Sequence, residues 1–307
     1  DSPGAPVNAD GSPVFYRVPE SFEKAASDGE RWRWALAQAV EADAGLLNTV
    51  RMTLGQFALG QFGAQTLQGG RFEPMDDGDD AAPATSIYGL ETLKDEETVA
   101  RLASGVKRFA LPDEFNPIRI FQSVVDDPRT GQARQATEAL AGLFENRRQF
   151  PRAAGFWKQA LAKYGDQNNN YQARIHQIEK PWGRFEAAST HPAGRGASVD
   201  FSFRNGRKVR FEAHRILVDK LLKDVKDYIR SRPAEVDWQK TDVNDVGARL
   251  VSQNQAQYRG ESVAKWELDL DPPADHFDRR IVVTTPLQEA GAYLLTATME
   301  GGNVGRV

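Results

Sequence analysis

The chain has 307 residues, of which 40% are hydrophobic and 27% are charged, a balance typical of globular proteins rather than disordered ones. It has no cysteine, which excludes disulfides, thiolate metal ligands, a cysteine nucleophile and a cysteine-derived thioester within this sequence. The net charge of −4 argues against a nucleic-acid partner, and no apolar run approaches the roughly 20 residues that a transmembrane helix needs.

The first part of the chain is predicted to be a linker followed by helices. Residues 1–20 are rich in Pro, Gly, Asp and Ser, so we expect a flexible N-terminus. Because residue 1 is Asp and no signal peptide is visible, we expect a processed or excised segment. Apolar residues then recur at helical spacing in 21–66, although each internal glycine there costs about 1 kcal/mol relative to alanine unless helices pack closely.

A second helical region is predicted from residue 92 onward. Thr92–Phe109 starts with a threonine and three acidic residues, which is typical of a helix N-terminus. The acidic stretch before it, Met75–Asp80, is interpreted as a loop because its spacing does not match a calcium-binding loop. Asn116–Val125 is a further helix candidate.

The clearest helical unit is Gln135–Gly165, which reads "QATEALAGLFENRRQFPRAAGFWKQALAKYG". It resembles a tetratricopeptide repeat, and the matching positions are Leu140, Ala141, Phe144, Ala153, Trp157, Ala160 and Leu161. Such a unit cannot bury its apolar face alone, so neighbouring helices are expected to stack on it. Asn146 and Arg147 fall at the turn between its helices and are candidate partner-binding residues, because repeat grooves bind peptides.

After residue 171 the apolar period changes from about 3.6 to 2, which predicts β-strands. The segments "ASVDFSF" and "KVRFEAH" alternate apolar and polar residues on either side of Arg204–Gly206. We predict a hairpin with a three-residue loop and a left-handed Gly206. This register would pair Phe201 with Val209 and keep all apolar residues on one face.

The remaining elements complete an antiparallel β-sandwich with one inserted helix. Leu217–Ile229 is an amphipathic helix that ends before Pro233. Further strands are predicted at "KWELDL", at 281–284 and at 293–299. Trp238 and Trp266 are predicted to meet across the core. The predicted fold class is therefore α+β and multidomain, with a linker at 1–20, a helical repeat domain at 21–165 and a sandwich at 172–307.

The second half resembles the first macroglobulin-type domain of bacterial alpha-2-macroglobulin-like proteins. The resemblance rests on the stretches "FRNGRKVRFEAH", "WELDL" and "TTPLQEAGAYLLTATMEGGN". The helical half resembles the repeat-containing extension of some large members. The resemblance implies an extracytoplasmic scaffold segment of a protease trap, whose partners are downstream domains and, through the whole molecule, proteases. It also implies a further strand after 293–299, so we expect a sandwich truncated at Val307.

Catalytic motifs are not visible in the sequence. It contains no G-x-S-x-G, H-E-x-x-H or phosphate-binding loop pattern, and its four histidines are dispersed. We therefore predict no enzymatic activity, no cofactor and no metal site. The acidic segments Asp242–Gly247 and Asp269–Asp278 are interpreted as solvated loops, because the first lacks two of the ligands of a calcium loop and the second contains two prolines.

One basic cluster remains open to two interpretations. Its members are Arg204, Arg207, Lys208 and Arg210. Such charges on exposed strands deter edge aggregation, and they can also form a partner-binding patch. Two other functions stay open for the whole chain. One is an independent tetratricopeptide-type binding module with an attached sandwich, and the other is a glycan-binding or glycan-active sandwich protein.

Overall fold

The computed structural model describes residues 4–67, 86–127, 131–166, 169–186, 190–241, 250 and 256–307. The chain divides into two compact units, Asp1–Ile178 and Glu179–Val307. Among the described residues, the first unit is mainly helical with a β-hairpin, whereas the second contains two antiparallel sheets together with helices. This organisation confirms the predicted α+β class.

The N-terminal stretch packs against the first unit, although its composition predicted a linker. The amide of Ala5 donates to the carbonyl of Arg101 at 2.9 Å, and the amide of Ala103 donates to the carbonyl of Ala5 at 2.8 Å. Ala5 is buried, and Val7 forms a bridge with Pro13. Composition did not predict this docking because the contacts are backbone bonds to a strand almost 100 residues away.

Two helices begin the first unit and confirm the helical pattern in 21–66. α1 spans Asp28–Ala42 and α2 spans Leu47–Phe62. The hydroxyl of Ser27 accepts a hydrogen bond from the amide of Glu30 and caps α1. α3 spans Pro117–Val125, as predicted, and is capped by Asn116, whose side chain accepts from the amide of Ile118.

The helix predicted at Thr92–Phe109 is wrong. The structure has an antiparallel hairpin there, with β1 at Glu97–Leu102 and β2 at Gly105–Ala110. Gly105 adopts a φ of 115°, which breaks any helix and suits the turn between the strands. Of the acidic residues that resembled a helix N-terminus, Glu97 instead pairs with Arg108 on the opposite strand at 2.7 Å.

Three further helices complete the first unit. α4 spans Ala133–Asn146, α5 spans Phe150–Tyr164 and α6 spans Asn170–Glu179. The repeat-like positions named above lie in one core with α3, and all are buried except the half-buried Leu161. Sequence reasoning missed α6, which buries Tyr171, Ile175 and Ile178 in the same core. The helical unit therefore extends past residue 165 to Ile178.

Replacement by alanine is expected to have opposite effects on stability at two glycines of α2. A Cβ at Gly55 would lie 2.6 Å from Cε1 of Phe121, which is fully buried, whereas a Cβ at Gly60 would meet nothing within 4 Å. We expect Gly60→Ala to raise the free energy of unfolding by about 0.5–1 kcal/mol through helix propensity. Gly55→Ala should lower it by about 1–3 kcal/mol, because overpacking outweighs that gain. Urea unfolding followed by circular dichroism measures both, and a stabilising Gly55→Ala would show that Phe121 can move aside.

The second unit contains two antiparallel sheets. The first has the order β3-β4-β7, formed by Trp182–Phe185, Ser198–Arg204 and Arg279–Thr284. The second has the order β6-β5-β8-β9, formed by Arg259–Asp269, Lys208–Ile216, Tyr293–Met299 and Val304–Arg306. The predicted strands are confirmed. α7 spans Val218–Arg230, as predicted, and a short helix, α8, spans Trp238–Thr241.

The predicted β4–β5 hairpin is wrong, because these strands belong to different sheets. Phe201 pairs with Phe185 and Ile281, not with Val209. The left-handed residue of the connection is Asn205, with a φ of 57°, rather than Gly206. The apolar faces meet across the core, where the ring centroids of Phe201 and Phe211 lie 5.4 Å apart. The alternation of apolar and polar residues shows which face of each strand is buried. It does not show whether two strands are neighbours in one sheet or lie in facing sheets.

Strand β8 contributes buried residues from both of its faces. Leu295, Ala297 and Met299 join the aromatic core between the sheets, while Leu294 packs in a cluster with Leu221 of α7. The strand pairs with β5 on one side and with β9 on the other, so a short strand does follow it.

The two tryptophans predicted to meet do not. Trp238 is 76% exposed, and Trp266 stacks on Phe211 with ring centroids 5.2 Å apart. Trp238 belongs to the short helix α8 rather than to a strand of either sheet, which is why it does not reach their core.

Candidate functional site

The basic cluster at the β4–β5 connection is largely neutralised by acidic residues. Nε of Arg204 lies 2.7 Å from Oδ1 of Asp278, and Nε of Arg210 lies 2.8 Å from Oε1 of Glu267. Nζ of Lys208 lies 3.6 Å from carboxylate oxygens of both Glu267 and Asp269. The pairs of Lys208 with Asp269 and of Arg210 with Glu267 follow from the register of β5 and β6, which sets these bases opposite these acids. Arg207 is exposed, and its carbonyl accepts from the amide of Leu270 at 2.8 Å.

The pKa of Glu267 provides a test of this pairing. The hydrogen bond from Arg210 is the main cause that holds the pKa of Glu267 below its ordinary value. Arg210→Ala should therefore raise the pKa of Glu267 toward that value, while Arg207→Ala should leave it unchanged. Side-chain carboxyl shifts in an NMR titration measure both. Since the pKa is depressed in the folded chain, any stabilisation by this pair is present above the unfolded pKa and is lost as the pH falls. An unchanged pKa in Arg210→Ala would contradict the pairing.

The candidate residues at the α4–α5 turn are buried or half-buried, which does not fit side chains that line a ligand-binding groove. Arg147 is buried, and its guanidinium donates to the carbonyls of Glu97 at 3.1 Å and Lys94 at 2.6 Å. Burial lowers the pKa of Arg147 to about 10. Asn146 is the last residue of α4 and is half-buried. The turn is thereby attached to the start of the β1–β2 hairpin, which sequence reasoning could not foresee while it assigned that hairpin to a helix.

The acidic segments and histidines do not form a metal site within the part of the chain that the structure describes. In the predicted acidic loop, Asp269, Asp271 and Asp278 pair with Lys208, Arg279 and Arg204 respectively. The segments Met75–Asp80 and Asp242–Gly247 lie outside the described residues. None of the described helices is both long and apolar enough to cross a bilayer.

A cleft of about 490 Å³ opens at one end of the second unit. One wall is the loop 190–197 that leads into β4, and the other is the loop 285–292 that leads into β8. The floor is apolar and comes from both sheets, with Val199, Leu287, Leu295 and Val307 among its lining residues. Sequence reasoning missed this cleft, because its two walls are almost 100 residues apart in the chain.

Hydrogen bonds hold the two walls together. The amide of Thr285 donates to the carbonyl of Ala197 at 2.7 Å, and the amide of Gly194 donates to the carbonyl of Gln288 at 2.8 Å. At the rim, Nη2 of Arg215 donates to Oε2 of Glu289 at 2.6 Å and to the hydroxyl of Tyr293 at 3.3 Å. The cleft is therefore a built feature of the fold with an apolar interior and a polar rim, which is the usual character of a binding site.

Comparisons with known proteins give a weak structural likeness. No family model matches the chain, and no curated protein matches it. A structure of Escherichia coli alpha-2-macroglobulin spanning domains MG0-NIE-MG1 is 16% identical over 39% of this chain and 33% of its own, with a TM-score of 0.23. A second structure of that protein, spanning domains NIE-MG1, is 17% identical over 42% of this chain and 59% of its own, with a TM-score of 0.24. The chain thus matches less than two thirds of either structure, and this likeness establishes neither an activity nor a partner.

Proposed function

We propose that this chain is a non-catalytic scaffold and interaction segment of an alpha-2-macroglobulin-like protein that traps proteases. In this proposal the helical unit is a tetratricopeptide-like extension, and the second unit is a macroglobulin-type β-sandwich. The segment acts outside the cytoplasm, and inhibition belongs to the whole molecule rather than to this part of it.

The observation that supports the proposal best is where the family-like sequence stretches lie in the core of the second unit. All three sequence stretches that resemble the family fall on strands of that core or on their connections. "FRNGRKVRFEAH" passes from one sheet to the other, "WELDL" lies on β6 and its end, and "GAYLLTATM" leads into and forms β8. The aromatic rings of Phe185 and Phe201 in one sheet both contact the ring of Phe211 in the other, as expected for two sheets that close on each other.

The polar surface of the same unit supports a structural role. Several of its charged side chains pair between neighbouring strands, as with Arg210 and Glu267 or Arg280 and Asp200. An active site instead concentrates titratable groups of shifted pKa in one cleft. Paired charges of this kind keep strands in register and solvated.

A protection assay with the protein at its natural length tests the proposal. A trap that encloses a protease leaves its active site free, so trypsin should lose activity on a large protein substrate but keep it on a small chromogenic peptide. The 307-residue chain alone should protect neither substrate. Protection by this segment alone, or equal inhibition of both substrates, would show that the segment is a conventional inhibitor.

A second candidate function is an independent tetratricopeptide-type module that binds a protein. It is favoured by the burial of the repeat-like residues of α4 and α5 in one core with α3 and α6, as stacked repeats require. In the protection assay this module would leave trypsin active on both substrates, even in the protein at its natural length.

A further inference from the structure

We propose that Asn205 is a conditional modification site. Its side chain deamidates without an enzyme when the β4–β5 connection opens, and the deamidated side chain hinders that connection from closing again. The folded structure holds the reaction off through contacts between segments that cross from sheet to sheet. This inference goes beyond the proposed function and does not depend on the family resemblance.

Two segments cross between the sheets at the same end of the second unit, and side chains link them. The β4–β5 connection runs from the first sheet to the second, and the segment 270–278 returns from β6 to β7. Nδ1 of His276 lies 2.8 Å from Oδ1 of Asn205, and it is the donor because an amide oxygen only accepts. Nδ2 of Asn205 donates to the carbonyl of Lys180 at 3.3 Å, so both ends of the amide group are held.

The fold itself requires an Asn-Gly pair at this connection. Asn205 has a φ of 57°, in the left-handed region that asparagine tolerates better than most residue types. A Cβ at Gly206 would overlap Sδ of Met299, which is 2% exposed in the core, so only glycine fits there. This is the only Asn-Gly pair in the sequence. Since glycine has no Cβ, its amide nitrogen is the least hindered one that can follow an asparagine.

Deamidation needs only these two residues and water. The amide nitrogen of Gly206 attacks Cγ of Asn205, a C–N bond forms, the Cγ–Nδ2 bond breaks, and ammonia leaves with the proton of the Gly206 amide. Water then cleaves one of the two bonds between that nitrogen and the carbonyl carbons of the succinimide ring. Aspartate forms if the new bond breaks, and isoaspartate forms if the backbone bond breaks. In sum, an amide and water give a carboxylic acid and ammonia, and nothing is oxidised or reduced.

The folded chain opposes the first step of this reaction in two ways. The amide of Gly206 donates to the carbonyl of Arg204 at 2.7 Å, so the attacking nitrogen is engaged, and Gly206 is buried. The amide group of Asn205 is held by His276 and Lys180, so it does not turn freely toward that nitrogen. The reaction therefore proceeds through the open fraction of the connection, as hydrogen exchange does.

Deamidation changes the contacts that keep the connection closed. Aspartate keeps an acceptor for Nδ1 of His276 but places an oxygen where the Nδ2 donor was, and this oxygen repels the carbonyl oxygen of Lys180. Isoaspartate lengthens the backbone by one atom beside Gly206, which is packed against Met299. Either product therefore favours the open connection.

Chymotryptic peptide mapping by mass spectrometry tests the protection. The 307-residue chain and a synthetic peptide of residues 200–210 are incubated in the same mildly alkaline buffer, and conversion of Asn205 to aspartate and isoaspartate is followed. We expect conversion in the chain to be at least about tenfold slower than in the peptide, because several hydrogen bonds must break together.

Substitutions at His276 test the contact that holds the reaction off. His276→Ala should speed conversion about three- to tenfold, the effect of losing one hydrogen bond. His276→Asn should leave conversion slow, because Nδ2 of asparagine takes the place of Nδ1 and asparagine tolerates the left-handed region. His191→Ala is the matched control, since His191 lies beside the opposite end of β4, and it should not change the rate.

Hydrogen exchange followed by NMR separates local opening from unfolding of the whole unit. In His276→Ala, amides in the centres of β4 and β5 should stay protected while the amide of Gly206 exchanges faster. Asn205→Asp reproduces one product of the reaction. It should raise exchange at the amides of Gly206 and Leu270, because the second of these donates to the carbonyl of Arg207 in the same connection.

Several outcomes would overturn the proposal. Equal conversion rates in the chain and the peptide would show no protection, and equal rates in His276→Ala and the unsubstituted chain would remove His276 from it. Fast conversion in His276→Asn would show that the hydrogen bond is not what protects Asn205. Loss of protection throughout β4 and β5 in His276→Ala would assign faster conversion to unfolding of the unit. Unchanged exchange at Gly206 in Asn205→Asp would show that the modified connection still closes.

Discussion

Phe201→Ala is expected to lower the free energy of unfolding of the second unit by about 3–5 kcal/mol, the largest effect predicted for any single side chain here. Phe201 is fully buried in the centre of β4. Its ring lies 5.4 Å, between centroids, from both Phe185 and Phe211. Truncation therefore removes the apolar surface of one ring, one aromatic contact within its own sheet, one aromatic contact between the sheets, and the filling of the space between them.

Hydrogen exchange during urea unfolding measures this effect for each unit separately. Amides of β4 and β5 should lose protection in Phe201→Ala, while amides of α4 and α5 serve as an internal reference in the same chain. Val282→Ala is the control, because Val282 lies on the neighbouring strand β7 and is 68% exposed. That control should change stability by less than about 1 kcal/mol. A loss below about 1 kcal/mol for Phe201→Ala would show that the two sheets do not share a tightly packed core.

Arg147→Ala should lower the stability of the first unit by about 2–4 kcal/mol, because it removes two hydrogen bonds made by a buried charged group and leaves an unfilled space. The acceptors are the carbonyls of Glu97 and Lys94, which accept from the buried guanidinium at 3.1 and 2.6 Å. Arg147→Lys should recover part of the loss, since an ammonium keeps the charge but not the fork that reaches both carbonyls. Thermal unfolding followed by circular dichroism measures the series.

Arg152→Ala is the matched control for Arg147. Arg152 is the same residue type on the adjacent helix, and its partly exposed side chain pairs with Asp95 at 2.5 Å. Exposed pairs contribute less than about 1 kcal/mol, and the guanidinium of Arg152 also lies 3.9 Å from the ring centroid of Phe144. This variant should therefore lose about 1 kcal/mol, which is less than the loss for Arg147→Ala. If Arg147→Ala were as stable as Arg152→Ala, the guanidinium would be dispensable for the fold and open again to a partner-binding role.

The prediction of the candidate site shows a limit of sequence reasoning. Arg147 and Arg210 both read as exposed basic residues near turns. Arg147 is buried because the β1–β2 hairpin, missed in the sequence, brings two carbonyls to it. Arg210 is neutralised because β6, about 50 residues later, sets Glu267 opposite it. The cleft was not foreseen at all, because no local pattern connects the loop 190–197 with the loop 285–292.

The sequence by itself determined the type and approximate bounds of most elements. Apolar residues that recur every 3.6 residues indicate a helix and those that recur every 2 residues indicate a strand, and the same pattern shows which side of the segment is apolar. It therefore identified α3, α4, α5, α7 and five strands of the second unit, β4 to β8. It failed at β1 and β2, where acidic residues imitate a helix start, and at the short strands β3 and β9. It also missed α6, although Tyr171, Ile175 and Ile178 recur there at helical spacing.

Only the tertiary structure decided which apolar faces meet. The alternation in β4 and β5 is the same whether the strands are neighbours in one sheet or face each other across a core. The structure places Phe201 opposite Phe211 across that core. The reason is that the free energy gained by burying an apolar face depends on the area buried and not on which strand covers it. Which strands pair depends on long-range contacts that no local pattern encodes.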